Sequence, residues 1–273
     1  EKDQWLDFPY QTLKLTSKLT PKRIDTDLSF VGGKLGELML QAQINPLPKN
    51  KPLTGSFRLN GLDLSVARPF VPMVEKLTGH LNGSGTLSGG LLAPLVNGNL
   101  ELRDGEISGP ELPMALQALQ LQAVIAGETV QLNGGWKSGK AGQGTLNGNI
   151  AWGQALVVDL ALKGSQLPVT VEPYAALEVA PDLKISMKDD KLAIVGKVLV
   201  PKGEITVREL PPSTVKVSDD TVIVGQQTEE GKPPMAMAMD IDVVVGEDKL
   251  SFAGFGLTAN LQGHVHIGDN MDT

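Results

Sequence analysis

A chain of 273 residues with 31 glycines, 18 prolines and only 4% aromatics is built for many strands joined by turns, not for helices. Its net charge of −7, with no basic stripe, excludes a nucleic-acid binder. The absence of cysteine removes any disulfide framework and any thiol chemistry, and no run of about 18 apolar residues is present to cross a bilayer as a helix. Charge is uneven, with 11 Lys/Arg against 8 Asp/Glu in residues 1–80 and 13 against 23 thereafter, a scatter that solvated surface charge accounts for.

In chain order, Glu1 to Trp5 opens in mid-pattern, as a piece of a longer chain would. The alternating runs around Leu13-Lys14-Leu15, Ile24 to Val31 and Leu35 to Ile44 predict an antiparallel meander over residues 1–52. Asn45 to Pro52, with three prolines, reads as a linker. A trough-forming core is expected over 53–225. It includes one short helix between Ser65 and Leu77, with Pro69 and Pro72 in its first turns, plugging an end. Glycines laced through Thr78 to Gly89 predict bulges and a curved sheet. Val96 to Ile107 echoes Ile194 to Ile205, with Gly98/Gly196, Gly105/Gly203 and Glu106/Glu204 in step, which predicts a repeated strand-turn-strand unit. Further strands are expected at 119–125, 130–136, 144–152, 156–162, 183–187, 192–200, 205–207, 215–217 and 221–224. A mobile polar loop follows at 226–234, then a long C-terminal hairpin over 235–273. In that hairpin Met235, Met237, Met239, Ile241, Val243 and Val245 fall on every second position, the period of a strand about twice the usual length. The chain is expected to turn at Gly246-Glu247-Asp248. The fold class is thus all-β: a long curved antiparallel or mixed sheet folded into a trough with an apolar interior and at most one or two short helices.

The sequence carries no catalytic constellation with the spacing its chemistry needs. Gly134 to Lys140 has the spacing of a phosphate loop, but Ala141 stands where magnesium needs a hydroxyl, and no helix follows to cradle an anion. His264 and His266 point the same way but alternate with Val265 and Ile267, so they belong on the wetter face, not in a metal site. The doublets Asp189-Asp190, Asp219-Asp220 and Glu229-Glu230 fall at turns, where short carboxylates bond the backbone. No enzyme, metal, cofactor or small-molecule substrate is expected. The residues that need an explanation are apolar. Leu146, Ile150, Val158, Leu160, Leu162, Leu183, Ile185, Met187, Leu192, Ile194, Val198, Val200, Ile205, Val207, Met235, Met237, Met239, Ile241, Val243, Val245, Phe252, Leu261, Val265 and Ile267 are candidates to line one face. Methionines there serve as core filler or as a lining that accepts varied apolar cargo.

Pro181-Asp182-Leu183, Gly196 with Val198 to Pro201, Ser218-Asp219 with Val222 to Val224, Asp240 to Val245, Gly254 to Leu257 and Leu261 to Val265 together resemble the C-terminal conserved region of the TamB family. Gly79 to Gly98 is similar to the glycine-proline signature upstream of it. The resemblance implies a periplasmic segment of a protein anchored in the inner membrane, with an outer-membrane barrel of the Omp85 type, TamA, as partner. It also implies a part in assembling outer-membrane proteins such as autotransporters. Relatives among AsmA-like and bridge-like lipid transfer proteins imply passage of phospholipid. Two readings stand side by side: a trough that shields phospholipid acyl chains or a nascent client strand, and a self-filled spacer or docking module.

Overall fold

Alternating apolar and polar residues commit nearly the whole chain to strands. The computed structural model describes residues 10–207 and 236–268. Its strands are β1 (Thr12–Thr20), β2 (Arg23–Val31), β3 (Glu37–Ile44), β4 (Leu53–Asp63), β5 (Lys76–Gly90), β6 (Ala93–Ser108), β7 (Leu116–Gly127), β8 (Thr129–Ser138), β9 (Gly142–Ala151) and β10 (Val157–Ser165). There follow β11 (Leu167–Val171), β12 (Ala175–Lys188), β13 (Lys191–Val207), β14 (Ala236–Gly254) and β15 (Leu257–Gly268). All 15 strands join one sheet in sequence order, with β11 beside the first part of β12 instead of on the main path. Neighbours are antiparallel except β13 and β14, which run parallel.

Residues directly opposite one another share a face, so the register draws continuous rows. One row runs Leu13, Phe30, Leu38, Leu59, Gly83, Leu100, Ala123, Leu132, Gly148, Leu160, Ile185, Ile194 and Met239, from β1 to β14 without a polar side chain. The other face carries polar rows such as Asn82, Glu101, Gln122, Asn133 and Asn147.

The sheet is folded along a line of irregularities. Register slips occur at Leu59/Leu62, Thr78/His80, Leu102/Gly105, Gln117/Gln120, Glu178/Ala180, Val200/Lys202 and Val245/Leu250. Those from β4 to β8 adjoin one another across the strands, as do those from β12 to β15, while β8, β9, β10 and β12 pair without a slip; a bulge bends its strand and increases its twist. Asp104 and Ala118 take φ of 52° and 47° within two of these slips, where the extra residue leaves the extended conformation. The crease also gathers most of the buried side chains: Leu102, Leu119, Leu167, Val200, Leu250 and the hydroxyl-bearing Ser138. The result is a trough-like all-β fold, apolar on its inner face.

Several expectations change. No α-helix forms between Ser65 and Leu77. A 3-10 turn spans Leu64–Phe70, opened by the Asp63 carboxylate accepting from the Ser65 N–H at 2.8 Å, and β5 has begun by Lys76. Pro69 and Pro72, close together, remove backbone donors that a longer helix needs. Phe70 is 84% exposed and plugs nothing. The predicted turn at Gly246-Glu247-Asp248 is a bulge within β14, which runs on to Gly254, so the hairpin turns at Phe255-Gly256. The echoing segments are each one bent strand, not strand-turn-strand: β6 and β13 both slip register just before Gly105 and Gly203, so the shared pattern marks the crease. The strand predicted at 205–207 is the end of β13. Those predicted at 215–217 and 221–224, and the loop at 226–234, lie outside the described residues.

Candidate functional site, the apolar concave face

The register places the candidate lining residues on one face. Ile150, Val158, Met187, Leu192 and Met237 form one row, and Leu160, Ile185, Ile194 and Met239 the next. Leu146, Leu162 and Leu183 continue through Gly196 to Ile241 and Ile267, while Val198, Val243 and Val265 make a fourth row. Val200 and Val245 meet at the crease. Beyond it, Leu261 opposes Leu250, Ile205 opposes Phe252, and Val207 ends β13. Met235 lies outside the described residues.

These side chains are gathered but not sealed. Among the described residues only Leu53, Val74, Leu102, Leu119, Leu167, Val200 and Leu250 are buried apolar ones. Exposure rises toward both edges of the sheet. Leu13, Leu15 and Leu19 on β1 are 60%, 67% and 73% exposed, and Val265 and Ile267 on β15 are 52% and 43%.

Glycines shape the lining. Large side chains of one strand lie over glycines of the next: the Phe57 ring over Gly85, Leu100 over Gly83, and the Trp136 indole over Gly144. Such pairing keeps the face closely packed within its own layer.

On the convex face opposite charges alternate from strand to strand. Lys163, Asp182, Lys197, Asp242 and His266 are successive cross-strand neighbours from β10 to β15. Lys163 Nζ lies 3.0 Å from Asp182, and His266 Nδ1 lies 3.1 Å from Asp242 Oδ1. The hydrogen bond from His266 holds the Asp242 carboxyl below its ordinary range, outweighing desolvation and aided by the charges of His264, His266 and Lys197. Both histidines therefore sit on the wet face, as their alternation predicts, and no metal-holding group of three ligands occurs among the described residues. A depression of about 510 Å³ between Met39, Gln41, Arg58 and Ser84 involves side chains of this face too.

The same lining extends over β1 to β8, and Leu167, Leu250 and Trp136 also belong to it, beyond the residues that the sequence pattern singles out. Leu167 and Leu250, at 0% and 2% exposure, are the best buried. The alternation Leu167-Pro168-Val169 and Leu250-Ser251-Phe252 carries the signal.

Residues 134–273 match the model of the TamB C-terminal domain, and residues 1–102 that of the TamB N-terminal domain. The chain belongs to the TamB family. It is similar to the translocation and assembly module subunit TamB of Haemophilus influenzae, at 24% identity over 246 residues. That alignment covers 85% of this chain and 19% of the relative, so the chain spans about a fifth of that TamB. No solved structure matches.

Proposed function

We propose that this chain is a non-enzymatic periplasmic scaffold of a translocation and assembly module, part of a protein held at the inner membrane. Its trough shields apolar cargo, acyl chains foremost, between the two membranes and so assists assembly of outer-membrane proteins such as autotransporters. One observation carries the reading: the apolar rows run from β1 to β14, yet few of their side chains are buried. Each Val, Leu, Ile or Met left in water forgoes about 1.5–3 kcal/mol, and an occupant recovers it.

The face favours acyl chains over polypeptide. A chain of methylenes laid on the rows needs no hydrogen bond, whereas a peptide brings an N–H and a C=O per residue that an apolar face leaves unmet. A client strand, or a strand of an Omp85-type barrel such as TamA, fits instead the edge of β15, where backbone groups can be extended by strand addition.

A photo-crosslinking residue at Met237, 48% exposed on the apolar side, should capture phospholipid in cells. The same residue at Lys184, on the convex side, should not. If both positions capture only the chain itself, the trough is a self-filled spacer and the reading is wrong.

A further inference from the structure

Among the described residues, the concave face holds one buried side-chain donor without a partner, Nε1 of Trp136. The two other candidates for comparison are both satisfied: Trp152 gives its Nε1–H to the Pro94 carbonyl at 3.4 Å, and Ser138 gives its hydroxyl to the Ala115 carbonyl at 2.6 Å. A buried N–H left unmet is costly and calls for an explanation.

Its position supplies one. Trp136 stands on β8 where the crease passes, next to the slip at Gln117/Gln120 and near the buried Leu119. Its row continues through Gly144 and Gly164, beside which lies Pro181, and on through Val198 and Val243. None of these has a side-chain acceptor, so the lining itself cannot meet the indole. The ring fills the space that a Cβ on Gly144 would take. In this conformation Nε1 is covered, and since the glycine has no side chain to hold the ring, a swing of the indole away from Gly144 would turn the N–H toward the trough.

We propose that Trp136 is a positioning residue for lipid, its Nε1–H donating to the ester carbonyl of a glycerolipid whose acyl chains lie along the apolar rows. The assignment rests on the reading of the trough as an acyl-chain carrier. An indole is a donor only, and an ester carbonyl is an acceptor without a donor, set where the acyl chains begin. A polypeptide matches less well, since it brings as many donors as acceptors. The residue makes the trough sense the ester linkage and hold the lipid in register at the crease.

The test compares dihexanoyl phosphatidylcholine with its di-O-hexyl ether analogue, both below the micelle concentration, binding to the whole chain by calorimetry. Wild type should bind the diester about five-fold more tightly, the factor of one neutral hydrogen bond. Trp136→Phe should bring the two lipids together, and a circular dichroism spectrum identical to wild type should accompany it. A second measurement needs no variant: the indole ¹⁵N–¹H cross-peak of Trp136 should move with the diester and stay with the diether. The proposal is overturned if wild type binds both lipids alike, if Trp136→Phe keeps the preference, or if the cross-peak moves equally with both or only with an unfolded client peptide. Failure of wild type to bind either lipid would instead overturn the acyl-chain reading itself.

Discussion

Gly148 of β9 lies so close to Asp159 of β10 that a Cβ on the glycine would collide with the aspartate carbonyl oxygen. The glycine sits within the apolar row, between Leu132 and Leu160, and its missing side chain lets the strands approach. Gly148→Ala must push backbone instead of a flexible side chain, so it should destabilise by about 1–3 kcal/mol. Gly263→Ala, at a position with no atom within 4 Å of the added Cβ, should change stability by less than about 0.5 kcal/mol. Urea denaturation of the two variants separates these outcomes.

The crease makes its own demand. Asp104 and Ala118 hold φ of 52° and 47°, a left-handed conformation that a branched side chain resists and glycine accepts. Asp104→Val should lower the thermal midpoint, by the equivalent of about 1–2 kcal/mol, whereas Asp104→Gly should be nearly neutral. Ala118→Gly should raise the midpoint. Equal behaviour of valine and glycine at 104 would mean that the bulge relaxes and the bend is set elsewhere.

The face was legible in the sequence because period two survives in any strand, buried or open. Ile185, Ile194 and Met239 fall on the row that their alternation predicts. The crease was not legible as such. Gly105 and Gly203 announce it as a repeat, but glycine serves equally as turn and as bulge, and only pairing with β7 and β14 reveals that β6 and β13 continue through it. Gly246 misled for the same reason: its φ of 77° suits a turn, yet β14 keeps its partners on both sides. Trp136 was hidden because an unmet donor is a property of neighbours that sequence does not list together.

Burial predicts where stability resides. Leu167 and Leu250, at 0% and 2% exposure on the concave side of the crease, should each cost about 2–5 kcal/mol when truncated to alanine, the transfer and cavity contributions adding. Leu15→Ala, on a residue 67% exposed, should cost under about 1 kcal/mol. Guanidinium titrations provide the comparison. If Leu15 matched Leu167, the lining would be filled by the chain's own atoms, and a carrier role would lose its basis.

The Asp242 carboxylate ties the edge strand to the sheet. Its Oδ1 lies 3.1 Å from His266 Nδ1 and 3.4 Å from His264 Nε2 on β15, and the bond from His266 is the first cause of its lowered pKa. A carboxyl depressed on folding contributes stability that is in place above its unfolded value of about 3.9 and is lost as pH falls through the lowered value. His266→Leu should therefore raise the Asp242 midpoint in a carboxyl ¹³C titration. It should also speed amide exchange in β15 relative to wild type at about pH 5–6, with the difference vanishing once pH falls below the wild-type midpoint. A midpoint that His266→Leu leaves in place would shift the cause to Lys197 and His264, and β15 would then be held by its backbone ladder alone.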